Sequence, residues 1–242
     1  MKHSLLDKWY YLYKDRNFRK YEKLGIRETF SQVYDQNIWG GIKGDYYSGS
    51  GTHNKNTCRY VERVTEFMRE TSITTVAEIG CGDFTITQQV LKELPCIQYT
   101  GIDVVPGLIE RNNRLFGTGY IQFQTADATK DRLPDAQLVI IRQVLQHLNN
   151  EQVQSILQQI RKYRFALITE HLPIGPDVVV NLNKSVGPHI RMRINSGVFI
   201  EAPPFSINNS SVFLEYREDD LIKGKTVPAI MRTYLVKNME AI

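Results

Sequence analysis

Long apolar runs, a paired set of cysteines and a strong net charge are all missing from this 242-residue chain. No apolar stretch approaches the roughly 20 residues that a membrane-spanning helix needs. The opening MKHSLLDKWYYLYKDRNFRK scatters charges through what would have to be a signal-peptide core, so the expected location is the cytoplasm. Three cysteines, Cys58, Cys81 and Cys96, are odd in number and lack C-x-x-C spacing, which points away from a disulfide framework and a zinc site and toward reduced thiols. A formal charge of +4 gives no compositional argument for a nucleic-acid partner. Repeats and low-complexity tracts are absent as well. What remains, with 42% hydrophobic residues, suits one α/β domain with an appended element.

Within that frame the run VAEIGCGDF, from Val76 to Phe84, stands out. An apolar strand delivers Glu78, and Gly80 and Gly82 let the backbone pass close to a ligand. About twenty residues later Asp103 ends a second strand, where an acid accepts from a ribose diol. A dinucleotide fingerprint needs a third glycine three residues after the second, and that position is Thr85. Asp83 would repel a pyrophosphate at the helix N-terminus, and no Gly-Lys-Ser/Thr follows to make a phosphate-binding loop. A cationic adenosine cofactor without phosphate fits this charge pattern. S-adenosylmethionine, with its sulfonium and ammonium, is the expected ligand of Glu78, Gly80, Gly82, Asp83 and Asp103, the alternative being an ordinary strand-turn-helix. Val104 is expected to flank adenine. Asp127 and Ala128, in TADAT after the third strand, are expected at the adenine amine, unless Asp127 only caps a turn.

Alternating apolar and amphipathic stretches predict strands at 75–79, 98–103, 121–125, 136–142 and 165–170, with helices at 85–93, 105–116 and 151–161. Two later strands, 211–216 and 229–236, would complete a mixed sheet. Residues 1–54 read as an N-terminal helix and cofactor lid, and 55–242 as the catalytic domain. The helical pattern from Met1 to Leu24 interleaves basic residues with aromatics, a mixture that permits RNA or membrane contact. Asp7, Asp15 and Glu22 dilute that charge, and packing on the domain or on a second subunit, as in a homodimer, is the plainer reading. In YDQNIWGGIKGDYYSGSGT, from Tyr34 to Thr52, Trp39, Tyr46 and Tyr47 supply apolar faces. The stretch is either a plain surface loop or a lid; as a lid it includes Ser48, Gly49 and Gly51, the glycines offering backbone amides to an anion such as the cofactor carboxylate.

FSQVYDQNIWG from Phe30, SGSGT from Ser48, GCGDF from Gly80, YTGIDVVPGLIE from Tyr99 and APPF from Ala202 together resemble a bacterial group of class I methyltransferases found in surface-polysaccharide and capsule gene clusters. The resemblance implies a Rossmann-like α/β fold: a mostly parallel seven-stranded sheet with helices on both faces. It implies O-methylation of a small polar metabolite, neutral or anionic, such as a phosphorylated or phosphoramidate precursor or sugar of a surface glycan. An RNA-binding methyltransferase and an N-methyltransferase of a small molecule are the alternatives. The chain departs from the group in carrying Gln143 where an acid is usual, and in the basic stretch containing Lys184, His189, Arg191 and Arg193.

Methyl transfer requires alignment of acceptor and sulfonium and, for a neutral acceptor, removal of a proton. The end of the fourth strand faces the methyl group in this architecture, which nominates Arg142, Gln143 and His147, with Arg142 also near the cofactor. His147 is either a base or a packing residue. Glu170 and His171, at the tip of the fifth strand, form a second candidate pair. Arg191 and Arg193 either bind an anionic acceptor or are solvated surface residues; Tyr47 is a further acceptor contact. The Asn-Pro-Pro-Tyr signature of exocyclic-amine methylation is absent, which argues against nucleic-acid adenine. No Asp/Asp/Asn metal constellation is recognisable, so no catalytic metal is expected.

Overall fold

The computed structural model describes residues 21–42, 44–49, 51, 56–222 and 224–238. The basic, aromatic segment up to Lys20, and residues 43, 50 and 52 of the glycine-rich loop, lie outside the described residues.

Among the described residues, helices α1 (Ile26–Asp35) and α2 (Thr57–Glu70) precede the sheet. Strand and helix then alternate as β1 (Thr75–Ile79), α3 (Thr85–Lys92), β2 (Gln98–Asp103), α4 (Pro106–Phe116), β3 (Ile121–Thr125) and β4 (Leu138–Arg142). A single 3-10 turn, Leu145–His147, leads to α5 (Asn150–Gln159) and β5 (Phe165–Pro173). After short β6 (Val179–Val180) and β7 (Ser196–Gly197), the chain ends in β8 (Ser210–Arg217), the hairpin β9 (Asp220–Ile222) and β10 (Lys225–Val227), and β11 (Ala229–Lys237).

Seven strands form one sheet in the order β3-β2-β1-β4-β5-β11-β8. The neighbours from β3 to β5 pair in parallel, whereas β11 runs antiparallel to both β5 and β8. The expected Rossmann-like fold is therefore the observed one. Strand order reverses at β1, because β2 lies on one side and β4 on the other. The crevice beyond the carboxyl ends of these strands is where a ligand binds in such sheets.

Successive side chains leave a strand on opposite faces, and each face has its own core. Ala77, Ile79, Val139, Ile141, Ala166 and Ile168 pack with Val153, Ile156 and Leu157 of α5, and also with Phe30 and Val33 of α1. Val76, Ile140 and Leu167 pack on the other face with Tyr60, Val64 and Phe67 of α2 and with Ile86 and Val90 of α3. The apolar spacing in α5 is a helical stripe meeting the sheet. Asn149 caps that helix by accepting from Gln152 N at 2.8 Å. β5 runs three residues beyond its expected end, since β11 continues to pair with it as far as Ala229 and Pro173. Among the described residues, no helix is long and apolar enough to cross a membrane.

Candidate active site

The β1 turn is tight because of what surrounds it. Gly80 and Gly82 take left-handed backbone angles, φ +68° and +52°. A Cβ on Gly80 would lie 2.4 Å from Val144, and one on Gly82 would lie 2.4 Å from Ser48 Oγ. Phe84, also left-handed at φ 67°, turns the chain into α3. Asp83 accepts from Thr85 N through Oδ1 (3.0 Å) and from Ser48 N through Oδ2 (2.9 Å), while its own N–H donates to Ser48 Oγ (2.7 Å). Ser48 also meets the hydroxyl of Tyr34 at 3.1 Å. Ser48 and Asp83 thus form a reciprocal clasp that fastens the segment proposed as a lid to the glycine turn.

A cavity opens at this point, at the carboxyl ends of β1, β2 and β4. Its wall includes Glu78, Gly80, Gly82, Asp83, Asp103, Val104, Asp127, Ala128, Arg142, Gln143 and His147, together with Trp39, Ser48 and Gly51 from the lid. Most of the expected cofactor residues are therefore gathered in one place. Asp103 accepts from Gly82 N (3.2 Å) and Val105 N (3.1 Å), and burial raises its pKa to about 6. Each of its oxygens has a lone pair left for a further donor. Glu78 is more deeply committed. It accepts from Thr87 Oγ1 at 2.8 Å and Tyr99 OH at 2.5 Å, and burial raises its pKa to about 7 against the lowering effect of those bonds. Asp127 is both a turn cap, accepting from Thr129 N and Oγ1 at 3.0 and 2.7 Å, and a wall residue. The glycine cradle and these carboxylates fit the sulfonium, ammonium and ribose of S-adenosylmethionine.

Phe30, Tyr34 and Trp39 give the wall an aromatic part, of which the sequence pointed to Trp39 alone. Ile26, Phe30 and Tyr34 face the cavity from α1, and Gln146 faces it from the 3-10 turn. Trp39 stands between Tyr34, at 5.3 Å, and His147, also at 5.3 Å between ring centroids, and its Nε1 donates to Pro188 O at 3.1 Å. Spacing of Ile26, Phe30 and Tyr34 at i, i+4 and i+8 was the signal available for this face.

Several expected catalytic and acceptor residues have other positions. His147 lies on the wall but is pressed between Phe30 and Trp39. Its Nδ1–H donates to Gly187 O at 3.3 Å, and burial, reinforced by Lys184, lowers its pKa to about 3. An imidazole so resistant to protonation is a weak base. His171 is off the wall, its Nε2–H donating to Glu218 O at 2.6 Å. Glu170 is fully buried beneath the cavity, where Oε1 accepts from Leu145 N at 3.1 Å, and burial raises its pKa to about 8. Arg191 is also fully buried and donates to the carbonyls of Leu182 (2.6 Å) and Leu148 (2.8 Å); it ties loops together and offers no guanidinium to an acceptor. Arg193 is exposed to solvent on the 3-10 turn Arg191–Ile194, which also carries Arg191. Tyr47 covers Gly41, where a Cβ would come within 2.5 Å of it, and among the described residues neither Tyr47 nor Gly49 lines the cavity.

Arg142 is held in place by a bond from Nη2 to Gly51 O at 2.9 Å. Gln143 follows it at φ +57°, a left-handed angle that a non-glycine residue adopts at some cost, and its N–H donates to Thr169 O at 2.7 Å. This conformation turns the chain sharply out of β4 at the cavity mouth. Arg142 is the sole Lys or Arg among the described residues of the wall.

Residues 77–163, from β1 through α5, match a family described as Methyltransferase domain. No curated protein matches the chain. The fold is shared with the crystal structure of N-methyltransferase NodS from Bradyrhizobium japonicum WM9 in complex with SAH, at 12% identity over 86% of this chain and 98% of that one, with a TM-score of 0.56. It is shared too with the N-terminal domain of EvdMO1 in the presence of SAH and D-fucose (12% identity, 87% and 96% covered, TM-score 0.53). TehB from Haemophilus influenzae is a third such structure (14% identity, 77% and 66% covered, TM-score 0.51). At such identities the likeness is one of fold.

Proposed function

We propose that this chain, an S-adenosylmethionine-dependent methyltransferase, methylates an oxygen that is already ionised when the acceptor arrives, on a small anionic metabolite such as a phosphorylated precursor of a surface glycan. One observation carries this reading: His147, the imidazole at the cavity wall, packs against the rings of Phe30 and Trp39 with its Nδ1–H on Gly187 O, and this burial lowers its pKa. A neutral alcohol would need a base near the working pH to take its proton. A carboxylate or phosphate oxygen attacks without one, and Arg142 supplies the opposite charge on the same wall. Bound S-adenosylmethionine supplies the activated methyl group. The chain's own residues then have four tasks. Gly80 and Gly82 cradle the amino-acid tail, Asp103 accepts from the ribose hydroxyls, Val104 and Ala128 flank adenine, and Phe30, Tyr34 and Trp39 exclude water above.

A second reading, N-methylation of a small amine, draws support from the aromatic wall and from the carboxylates of Glu78, Asp83, Asp103 and Asp127, which favour a cation. Transfer of labelled methyl groups to matched phosphate monoesters, carboxylates, amines and neutral alcohols separates the readings. Anionic acceptors should be methylated, with a rate over roughly pH 6 to 9 that follows the acceptor's ionisation alone and is preserved in His147→Asn. Preference for neutral alcohols, with an enzyme limb near neutrality that disappears in His147→Asn, would overturn the proposal.

A further inference from the structure

On the α2 side of β4, polar atoms from three distant parts of the chain are buried with no partner: Arg142 Nε, Gln143 Nε2, and the hydroxyls of Tyr60 and Tyr216. Tyr60, on α2, is 1% exposed, and Tyr216, on β8, is 7% exposed. The Arg142 guanidinium lies 5.3 Å from the centroid of the Tyr60 ring. Burial raises the pKa of both tyrosines and the charge of Arg142 lowers it; the Tyr60 hydroxyl lies near Thr169 and that of Tyr216 near Arg142, yet among the described residues neither forms a hydrogen bond of ordinary geometry. Gly51 draws the group together from the lid side. Its carbonyl accepts from Arg142, and a Cβ on it would lie 2.6 Å from Gln143 Nε2.

A buried donor left unpaired is costly, and native proteins rarely keep several at one place without a ligand, ion or water to satisfy them. The arrangement asks for negative charge. Among the described residues no carboxylate pairs with Arg142, and the nearby Glu78 has its oxygens taken by Thr87 and Tyr99. Arg142 and Gln143 line the cavity, while Tyr60 and Tyr216 lie behind them, off its wall, so a ligand there meets Arg142 and Gln143 first.

We propose that Arg142, Gln143, Tyr60 and Tyr216 form a subsite for a carboxylate or phosphate-type anion carried by a ligand in the adjoining cavity. The subsite rests on the reading of that cavity as the methyl-transfer site. A guanidinium fork and two tyrosine hydroxyls match the several lone pairs of such an anion. Two ligands can bring it: the cofactor, through its amino-acid carboxylate, or the acceptor, through its own charged group.

Calorimetry with S-adenosylhomocysteine and with 5′-methylthioadenosine, which lacks the amino-acid part, distinguishes the sources in the wild type, Tyr60→Phe, Tyr216→Phe and the double variant. Each substitution removes one hydroxyl and keeps the ring, and an unchanged circular dichroism spectrum confirms the fold. If the anion is the cofactor's, S-adenosylhomocysteine binds about tenfold more weakly for each hydroxyl lost, while methylthioadenosine is unaffected. If it is the acceptor's, both nucleosides bind as before. Inorganic phosphate then raises the Tm of the wild type, alone and with S-adenosylhomocysteine, but not that of the double variant. The proposal is overturned if neither S-adenosylhomocysteine affinity nor the phosphate effect depends on the hydroxyls. Failure of the wild type to bind either nucleoside would instead reject the methyl-transfer reading, and the phosphate arm on the free protein would still decide the subsite.

Discussion

Glu170 shows how far one residue's environment departs from its sequence context. At the tip of β5 beside His171 it has the look of a catalytic acid, but the fold buries it completely and gives its Oε1 to Leu145 N. Burial lifts its pKa to about 8, with Arg191 opposing. A carboxyl whose pKa is raised in the folded state contributes stability that is complete below the unfolded value and is lost as pH rises through the folded one. Glu170→Gln, which keeps a neutral acceptor for Leu145, should therefore match the wild type in Tm near pH 5 and exceed it at about pH 8 to 9. Equal Tm values across that range would contradict the assignment. Arg191 was illegible for a related reason. In HIRMRI it resembles a surface cation, and the carbonyls that absorb it belong to Leu182 and to Leu148, 43 positions earlier in the chain. By contrast the position of Asp103 on the cavity wall was legible, since it follows from a strand end and a turn that are local in sequence.

At the scale of elements, the clasp between lid and glycine turn links packing to ligand exchange. Ser48 Oγ accepts from Asp83 N and meets Tyr34 OH, so one hydroxyl joins the lid, α1 and the start of α3. Ser48→Ala keeps only the backbone bond from Ser48 N to Asp83. Loss of two hydrogen bonds that hold the lid closed should speed dissociation of S-adenosylhomocysteine by about 3- to 30-fold in stopped-flow measurements, with a smaller change in association. An unaltered dissociation rate would show that the lid does not gate the ligand. Strands β1, β2 and β3 were readable to the residue from apolar content and flanking turns. The end of β5 was not, because β11 lengthens it by pairing from more than fifty positions away. The aromatic face of α1 was likewise visible as periodicity, but what it covers depends on long-range contact with His147 and the lid.

Across the whole molecule, the sheet order places a reversal at β1, and the turns after β1, β2 and β4 meet at one crevice. Helix α1 packs into the same core as β1 and β4, so the expected cofactor residues and the aromatic side chains beside them are built on one continuous body. Acidic side chains dominate the wall, with Arg142 as its countercharge, and this balance favours a cationic adenosine ligand over a pyrophosphate. The charge pattern was already legible in Glu78, Asp83 and Asp103; His147 read as either a base or a packing residue, and it packs against Phe30 and Trp39, where burial lowers its pKa. Calorimetric titration of S-adenosylhomocysteine into the wild type and Asp103→Ala tests the cofactor site most directly. One molecule should bind per chain, and the alanine variant should bind at least about tenfold more weakly, because the ribose hydroxyls lose a charged acceptor. No binding to the wild type, or equal affinity in the two proteins, would contradict a cofactor site centred on Asp103.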